Sequence, residues 1–463
     1  MATVQFSGLS SGINSSQLID ALIDAKLAAN KKREAQIAQI TTENTALDDL
    51  NTKLLALDKL IDPLRTANSG GLSKKTSSSD SDVLSASAGS NASNATYALT
   101  VTSIAKPATA SYNQTYSSLS SYASTAGSGT VSIQVGTGSD QVTISANVTQ
   151  NSTTVQQLVD ALNSDADAGG RFRASVVNVG TSGSPSYKVV MTSLESGTEK
   201  GSIAVSASGA LTEFQSGVTT IDQADDAVFH VDGILGNITR SSNSVDDVIE
   251  GLSINLVDVG SATITISNDA SATADKAEEI VGAVNELIEF LQENNKVTTD
   301  QTSKDRTNIF GSLARTSLDD DFLTQFKLDI SEAETEDGTT VQGASDLGIS
   351  TNRDGTLDFD KDAFLAAVAA DPVGVQQVLN SFADRASGVS GTIYQYTRFQ
   401  GLIDISQSSN TDQISTLNDS IAALVRQTDK LRQGLTLKYA SLESLSSKMQ
   451  AQDGQLSSIL ASL

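Results

Sequence analysis

The sequence predicts an α+β multidomain protein with long antiparallel terminal coiled-coil helices, a helical bundle, and β-rich domains inserted in the middle of the chain. Three observations predict this fold class. A heptad repeat of apolar residues fills residues 411–463 at the end of the chain, a related helical pattern follows the start of the chain, and alternating strand patterns lie between them. Because a heptad seam needs a facing helix, the two ends of the chain most simply pair with each other.

The C-terminal helix, expected over residues 411–463, carries the strongest pattern. Thr428, Lys438 and Gln452 interrupt the apolar positions of its heptad, and Asn410 is the expected N-cap. A seam of this length is built to pair with another helix. The residues predicted to contact that helix or a partner are Ile414, Leu417, Ile421, Leu424, Leu431 and Leu435.

The N-terminal helix is expected to begin after Asn14, whose side chain can cap it, with Gln17 at the reciprocal position. Its apolar residues keep helical spacing up to Ile61, and Pro63 should end or kink the helix. The residues predicted to contact the C-terminal helix or a partner are Leu18, Leu22, Ile40, Leu47, Leu50 and Leu54.

The middle of the chain begins with a polar segment and continues with strands. Residues 66–81 are rich in Gly, Ser, Thr and Lys, and we expect them to form a linker. Strand patterns then follow as far as Ile266, interrupted by a short amphipathic helix that begins near Val155. The turn residues at 136–140 predict a hairpin loop between two of these strands.

Helical patterns resume from Ile280, a hairpin turn is expected near Asp354, and Asp371 with Pro372 should begin a further helix. This order of elements predicts four domains, some of which are built from two separate segments. They are a terminal coiled-coil leg domain (1–42 and 411–463), a helical domain (43–77 and 268–410), a β-rich domain (78–110 and 220–267) and an outer β-rich inserted domain (111–219).

The composition excludes several kinds of functional site. The chain of 463 residues has no cysteine and one histidine, so thiol nucleophiles, disulfides and cysteine-based zinc sites are excluded. Its formal charge is −25, but residues 1–65 sum to −1 and residues 411–463 to zero, which leaves −24 in the middle. Near-neutral ends can associate closely, whereas the acidic middle repels its copies and offers no basic patch to nucleic acid.

The sequence also has no membrane-targeting pattern. No apolar run approaches the ~18 residues of a membrane-spanning helix, and the start of the chain lacks the basic and apolar regions of a signal peptide. We therefore expect no membrane insertion, and either a cytoplasmic protein or one that is exported without a cleaved signal.

Two features could carry chemistry, and each has a simpler interpretation. Aligned to a calcium-binding loop, Ser350, Asn352 and Asp354 take ligand positions, but Lys361 stands where a bidentate glutamate is required. A hairpin turn is therefore favoured over a metal site. His230 is the single imidazole, on one face of an alternating strand, and no motif supplies a catalytic partner. We expect no catalytic residue, no metal and no cofactor.

Several further stretches occur in a recognisable order along almost the whole chain. They are GLSSGIN (8–14), ADDAVFHVDG (224–233), ITRSSNSV (238–245), GLSINL (251–256), LGI with DGTL (347–349 and 354–357), and KYASLE with MQ (438–443 and 449–450). Together they resemble the bacterial flagellar filament cap family, also called the flagellar hook-associated protein 2 family, in which an aromatic residue is common at the position of Tyr439. The resemblance is weakest over residues 111–219.

The resemblance implies a structural protein with no enzymatic activity, secreted unfolded through the flagellar type III export channel without a cleaved signal peptide. It implies a ring-shaped homo-oligomer at the distal tip of the filament, whose paired terminal helices act as legs on the flagellin lattice. Flagellin, the filament tip and hook-associated junction proteins would be its partners. An export chaperone would bind the C-terminal helix through Leu442, Leu445, Met449, Leu456 and Ile459.

Two other interpretations stay open at the level of sequence. One is another flagellar axial component, such as a hook-filament junction protein, with the same terminal-helix organisation. The other is a surface adhesin with a coiled-coil stalk and a β head. The number of subunits is not set by the sequence, because a heptad seam constrains pairing within and between chains equally.

Overall fold

The structure is a computed structural model that describes residues 14–211, 214, 217–234, 236–299, 308–316, 318–335 and 340–460. The chain divides into two compact units, a helical unit of Met1–Gly70 with Ala274–Leu463 and a β unit of Gly71–Thr273. The opening motif at residues 8–13 and Leu463 lie outside the described residues. The predicted division into four domains is finer than these two units and stays a prediction.

The helical elements combine two very long helices with several short ones, and none of the described helices is long and apolar enough to cross a membrane. In chain order they are α1 (Ser15–Ile61), α2 (Val155–Ser164), α3 (Ala270–Asn294), α4 (Leu318–Ser331), α5 (Lys361–Ala370), α6 (Pro372–Ser387), α7 (Thr392–Thr397) and α8 (Leu402–Leu460).

The strands are short, and most of them belong to the β unit. In chain order they are β1 (Lys74–Ser78), β2 (Leu84–Ala88), β3 (Ala95–Ser103), β4 (Thr109–Tyr112), β5 (Gly129–Val135), β6 (Val142–Val148), β7 (Phe172–Asn178), β8 (Tyr187–Ser193), β9 (Ile203–Ala207), β10 (Val218–Asp222), β11 (Ala227–Val231), β12 (Ile238–Arg240), β13 (Ser244–Ile249), β14 (Leu252–Leu256), β15 (Gly260–Asn268), β16 (Val297–Thr299), β17 (Asn308–Phe310), β18 (Ile349–Thr351) and β19 (Leu357–Phe359).

The second half of α1 lies in the core of the helical unit. Its Leu47 and Leu50 have no exposed surface, and they belong to one apolar cluster with residues of α3, α4, α6 and α7. Aromatic rings fill part of this cluster, where Phe322 stacks on Phe326 with 5.4 Å between ring centroids and meets Tyr396 edge-on at 5.2 Å. Burial of this apolar surface holds the second half of α1 in the helical unit, and the first half of α1 extends from it.

The predicted ends of α1 are confirmed. The Asn14 side chain accepts a hydrogen bond from the Gln17 backbone N–H at 3.2 Å, which satisfies one otherwise unpaired donor of the first turn. The helix ends at Ile61, and Pro63 lies in the short 3₁₀ turn that follows. Proline has no backbone N–H, so the α-helical hydrogen bonds cannot continue through Pro63.

The N-cap predicted for the C-terminal helix is wrong. Helix α8 begins at Leu402, and Asn410 lies inside it with its side-chain amide bonded to α1. The helix follows the turn at Gln400, whose backbone N–H donates to the Asp404 carboxylate at 2.9 Å. Asn410 is a residue type that suits an N-cap, but here it joins two helices. Its spacing in the sequence is compatible with both roles, so the sequence alone does not distinguish them.

The hairpin and helix start predicted near residues 354 and 371 are confirmed. Strands β18 and β19 pair antiparallel, and the turn between them is closed by a hydrogen bond from the Asn352 N–H to the Thr356 carbonyl at 2.8 Å. Gly355 occupies this turn with a φ of 91°, a conformation that glycine adopts without strain. Asp371 caps α6 by accepting from the Gly374 N–H at 2.9 Å.

Two sheets of the β unit share one core. A five-stranded sheet has the order β1-β15-β3-β11-β12, and a three-stranded sheet has the order β13-β14-β2. Phe229, Ile254 and Ile264 are buried in the cluster that both sheets line. The alternation of apolar residues along these strands places one face of each on this core, as the sequence pattern indicated.

The predicted linker is wrong for the residues that form β1. This strand pairs with β15 in antiparallel register, from Lys74 opposite Asn268 to Ser78 opposite Ile264. An edge strand forms through backbone hydrogen bonds to its neighbour, so polar side chains do not prevent it. The polar composition therefore carried no strand signal.

The remaining strands of the β unit pack with α2. Their sheets have the orders β10-β4-β8-β7 and β6-β5-β9. Ile133 of β5, Leu158 of α2 and Met191 of β8 are fully buried in a shared cluster. The predicted hairpin is confirmed, because β5 and β6 pair antiparallel with Val135 opposite Val142.

Candidate assembly surface of the terminal helices

Helices α1 and α8 pair with each other, and the paired helices are called the stem. The Asn410 amide of α8 donates to the Glu43 carboxylate of α1 at 2.9 Å. Farther along α8, Arg432 forms an ion pair with Asp20 at 2.7 Å. Residue numbers rise along α8 while those of the partners fall along α1. The pairing is therefore antiparallel, as predicted.

The seam predicted for α8 is partly enclosed in the stem. All its members are half-buried: Ile414, Leu417, Ile421, Leu424, Leu431 and Leu435. Thr428, which interrupts the heptad, is more buried than any of them, at 2% exposure. Its hydroxyl donates to the Leu424 carbonyl at 2.9 Å, so a polar residue is accommodated without an unpaired donor.

The first turns of α1 present two adjacent apolar pairs, and one of them faces inward. Leu18 and Leu22, predicted as contacts, are 45% and 44% exposed, whereas Ile19 and Ile23 are each 5% exposed. Both pairs have the same spacing of four residues, so the heptad pattern does not show which pair faces α8 and which faces outward. We call Leu18 and Leu22 the outer strip of the stem, because much of their surface is accessible.

The other α1 residues predicted for contacts lie deeper in the helical unit. Ile40 is half-buried, and Leu47, Leu50 and Leu54 have no exposed surface in the core. A side chain without exposed surface does not reach another subunit while the unit keeps this fold. Within this set, Leu18 and Leu22 are the residues most accessible to a partner.

The last turns of α8 carry a second accessible apolar surface, called the C-terminal stripe. Leu442, Leu445, Met449 and Leu456 are 55 to 62% exposed, and the side chain of Ile459 lies outside the described residues. In the register of the stem, the start of α1 lies level with about residue 437 of α8. The described part of α1 therefore does not cover these turns.

Two buried asparagines lie in the stem. Asn30 is 6% exposed and accepts from Arg33 at 2.9 Å, while Asn410 is 5% exposed and donates to Glu43 at 2.9 Å and Asn44 at 2.8 Å. The Asn30 bond lies within α1, whereas the Asn410 bonds join the two helices and favour one alignment, because another alignment removes these partners. The stem is thus specific in alignment, at some cost in stability.

A buried carboxylate joins α4 to α7 beside the stem. Asp329 is 3% exposed and accepts hydrogen bonds from the Thr392 hydroxyl and, at 3.4 Å, from the Gln325 amide. The nearby Arg385 is engaged by Glu332 at 2.7 Å. Burial raises the pKa of Asp329 because the ionised form loses its hydration, and the hydrogen bonds oppose this effect only in part.

The motifs that could carry chemistry have structural roles. The Asp354 carboxylate accepts from the Thr356 hydroxyl at 2.7 Å and from its N–H at 3.0 Å, and these bonds lower the pKa of Asp354. Within the described ranges, no group of three or more potential metal ligands lies together. His230 is partly exposed on β11, on the face opposite the buried Phe229 and Val231, as predicted.

Sequence reasoning missed the buried polar residues of the stem. Asn30 lies one heptad after Ile23, and this spacing could have placed it at the helix pair. The sequence pattern predicts Asn410 only as a cap. A heptad count that scores apolar residues alone passes over both asparagines.

Long paired helices with accessible apolar surfaces, attached in sequence to a separate β unit, are typical of a structural protein. Two family models match the chain in order. The flagellar hook-associated protein 2 N-terminus matches residues 11–108, and the flagellar hook-associated protein 2 C-terminus matches residues 224–451. The chain belongs to the flagellar hook-associated protein 2 family, which makes it a flagellar filament cap protein.

Individual relatives agree with this family. The B-type flagellar hook-associated protein 2 of Pseudomonas aeruginosa is 26% identical over 493 aligned residues, which cover 98% of each chain. The flagellar hook-associated protein 2 of Escherichia coli is 26% identical, over 85% of this chain and 83% of that protein. A crystal structure of the E. coli flagellar cap protein shares the fold, with a TM-score of 0.58 at 24% identity over 80% of this chain and 99% of that one. These relationships do not favour the junction-protein or adhesin interpretations.

Proposed function

We propose that this chain forms a ring-shaped homo-oligomeric cap at the distal end of the growing flagellum, where it promotes the folding and insertion of exported flagellin. Membership of the family supports the location at the flagellum. The observation that carries the mechanical part is the stem, because two helices held in one register can serve as a leg on the filament tip. No step of this mechanism needs a catalytic group or a cofactor.

In this proposal the outer strip of the stem contacts flagellin. Fully burying one leucine side chain contributes about 1.5–3 kcal/mol, so partial burial of Leu18 and Leu22 holds a leg without locking it. The terminal segments are nearly neutral, which lets several legs approach one filament tip. Hook-associated junction proteins would be the neighbours of the cap before the first flagellin is inserted.

The C-terminal stripe serves a second partner in this proposal. Its accessible residues recur on successive turns of one helix, a pattern that fits an apolar groove in an export chaperone. Ile459 completes the predicted set. The chaperone binds before secretion, and its release at export frees the stripe for the filament after the chain has been secreted without a cleaved signal peptide.

The leg function is tested by complementation of a strain that lacks its cap protein. We expect Leu18→Asp with Leu22→Asp to abolish filament growth, because two charges then occupy the surface that must be buried against flagellin. Leu55→Asp is the matched control, since Leu55 is 49% exposed on the same helix and lies outside the strip. Normal filaments from the double variant would contradict the proposed leg contact.

Deletion of residues 411–463 gives a coarser test of the same idea. The deletion removes most of α8 and leaves the β unit intact in sequence. We expect a chain whose β unit still folds, as judged by circular dichroism, but which supports no filament growth. Motile cells with filaments of normal length would refute a role for the stem.

The chaperone contact is tested by affinity measurement with the export chaperone from the same organism. We expect Leu445→Asp with Met449→Asp to weaken binding at least about tenfold, because helix-in-groove binding depends on a few apolar anchors. Leu437→Asp is the control, since Leu437 is 71% exposed on the same helix but lies before the stripe. Unchanged affinity of the double variant would remove this proposal.

A further inference from the structure

An apolar groove lies where α7 meets the start of α8, and it is called the α7–α8 groove. Its lining includes Val389, Tyr394, Leu402 and Ile405, and Arg398 is the charged residue among its lining residues. These apolar side chains are 39 to 77% exposed, so the described chain leaves the groove open. Contiguous exposed apolar residues, unlike scattered ones, mark a surface for interaction.

Phe399 projects beside this groove instead of into it. Its side chain is 86% exposed, although Arg398 and Gln400 on either side both line the groove. Backbone hydrogen bonds close the turn, from the Arg398 N–H to the Tyr394 carbonyl at 3.0 Å and from the Gly401 N–H to the Arg398 carbonyl at 2.8 Å. A Cβ at Gly401 would lie 2.7 Å from that carbonyl, so the turn is tightly packed and holds the ring outward.

The segment around Phe399 carries no net charge, although it belongs to an acidic region. Residues 274–410 contain 24 acidic and 10 basic residues, whereas the charged residues of 388–405 are Arg398 and Asp404, which sum to zero. The Asp404 carboxylate accepts from the Gln400 N–H at 2.9 Å, beside Phe399. Copies of this chain repel one another over surfaces that carry many carboxylates, so this segment allows a closer approach than the rest of the region.

We infer that Phe399 of one copy inserts into the α7–α8 groove of a second copy of this chain. The projecting ring and the open groove occur on the same chain, and the closed turn keeps them apart within it. A contact between two different surfaces of identical chains repeats from copy to copy, and it closes into a ring when the rotation permits. The inference rests on the proposed cap function and deepens it by naming a contact between neighbouring subunits.

Cysteine cross-linking tests this contact directly, because the chain has no native cysteine. Full-length Arg398→Cys and Val389→Cys proteins, carrying tags of different size, are mixed and mildly oxidised, because a cysteine beside Phe399 leaves the ring in place. We expect a disulfide between unlike chains to form at least about tenfold faster than in a mixture of Arg398→Cys and Val373→Cys, because the proposed contact raises the effective concentration of the thiols. Val373 is 59% exposed and lies outside the groove lining. Equal rates, or no cross-link in either mixture, overturn the inference.

Self-association of full-length variants gives an independent measurement. By analytical ultracentrifugation, Phe399→Ala should associate at least about tenfold more weakly than the parent chain, as expected for a central aromatic anchor. Phe399→Leu should retain most of the association, and Val373→Ala should retain all of it. Parent-like assembly of Phe399→Ala overturns the inference and leaves the cap function standing. Failure of the parent chain to support filament growth would instead count against the cap function, whatever the cross-linking result.

Discussion

Removal of the Asn410 side chain should lower the free energy of unfolding by more than the small size of this side chain suggests. Asn410 is 5% exposed, and its amide donates to Glu43 at 2.9 Å and to Asn44 at 2.8 Å across the helix pair. A hydrogen bond to a charged group contributes about 1.5–3 kcal/mol, and a neutral one about 0.5–1.5 kcal/mol. Both acceptors are half-buried and can regain water in Asn410→Ala. We therefore expect the free energy of unfolding to fall by about 2–3 kcal/mol.

Asn410→Asp probes the same contact with a charge. The new carboxylate would face Glu43 in a buried position, so this variant should be less stable than Asn410→Ala at neutral pH. The difference should shrink as the pH approaches about 4, where carboxyl groups take up protons. This pH dependence separates charge repulsion from a simple loss of packing.

The measurement is urea unfolding of the full chain followed by far-ultraviolet circular dichroism, with the transition of the helical unit fitted on its own where the two units separate. Thr411→Ala is the matched control, because Thr411 is exposed and its hydroxyl donates to the Gln407 carbonyl of the same helix at 2.8 Å. The control should stay within about 0.5 kcal/mol of the parent chain. An Asn410→Ala variant no less stable than Thr411→Ala would refute the reasoning.

Two further substitutions test the helical unit. Because burial raises the pKa of Asp329, the folded state binds its proton more tightly than the unfolded chain. The resulting stabilisation is complete below an aspartate pKa of about 4 and is lost as the pH rises through the folded-state value. Asp329→Asn should therefore raise the free energy of unfolding at neutral pH, by on the order of 1 kcal/mol. The melting temperature of this variant should also change less with pH than that of the parent chain. If both proteins showed the same pH dependence, the titration of Asp329 would not be its cause. Leu50→Ala should cost about 2–5 kcal/mol and Leu55→Ala about 0.5 kcal/mol or less in thermal unfolding, and equal losses would contradict the core position of Leu50.

The paired terminal helices could be predicted because their pattern is long and redundant. Many apolar positions of α8 follow the same heptad, so neither the polar Thr428 within it nor the wrong N-cap at Asn410 changes the assignment of a paired helix. The ends of α1 were predictable for a different reason. Asn14 and Pro63 act through local backbone chemistry, which requires no knowledge of the rest of the fold.

What could not be predicted depends on residues far apart in the sequence. Strand β1 forms because Lys74–Ser78 pairs with β15, and the polar residues of β1 do not predict that pairing. The choice between Leu18 and Ile19 as the inward residue depends on the rotation of α1 relative to α8, which a repeating pattern leaves free. The exposure of Phe399 follows from a turn whose geometry is set by backbone hydrogen bonds.

The buried amide of Asn410 also restricts how the two helices of the stem can move along each other. If α8 slipped by one heptad along α1, Asn410 would face either Leu50 and Asn51 or Gln36 and Ile37 in place of Glu43 and Asn44. Beside Leu50, the amide would lose its charged acceptor and keep at most the neutral Asn51 side chain, and a hydrogen bond to a charged group contributes about 1.5–3 kcal/mol. A slip of α8 along α1 by one heptad is therefore unfavourable. A stem held in this alignment keeps a constant length.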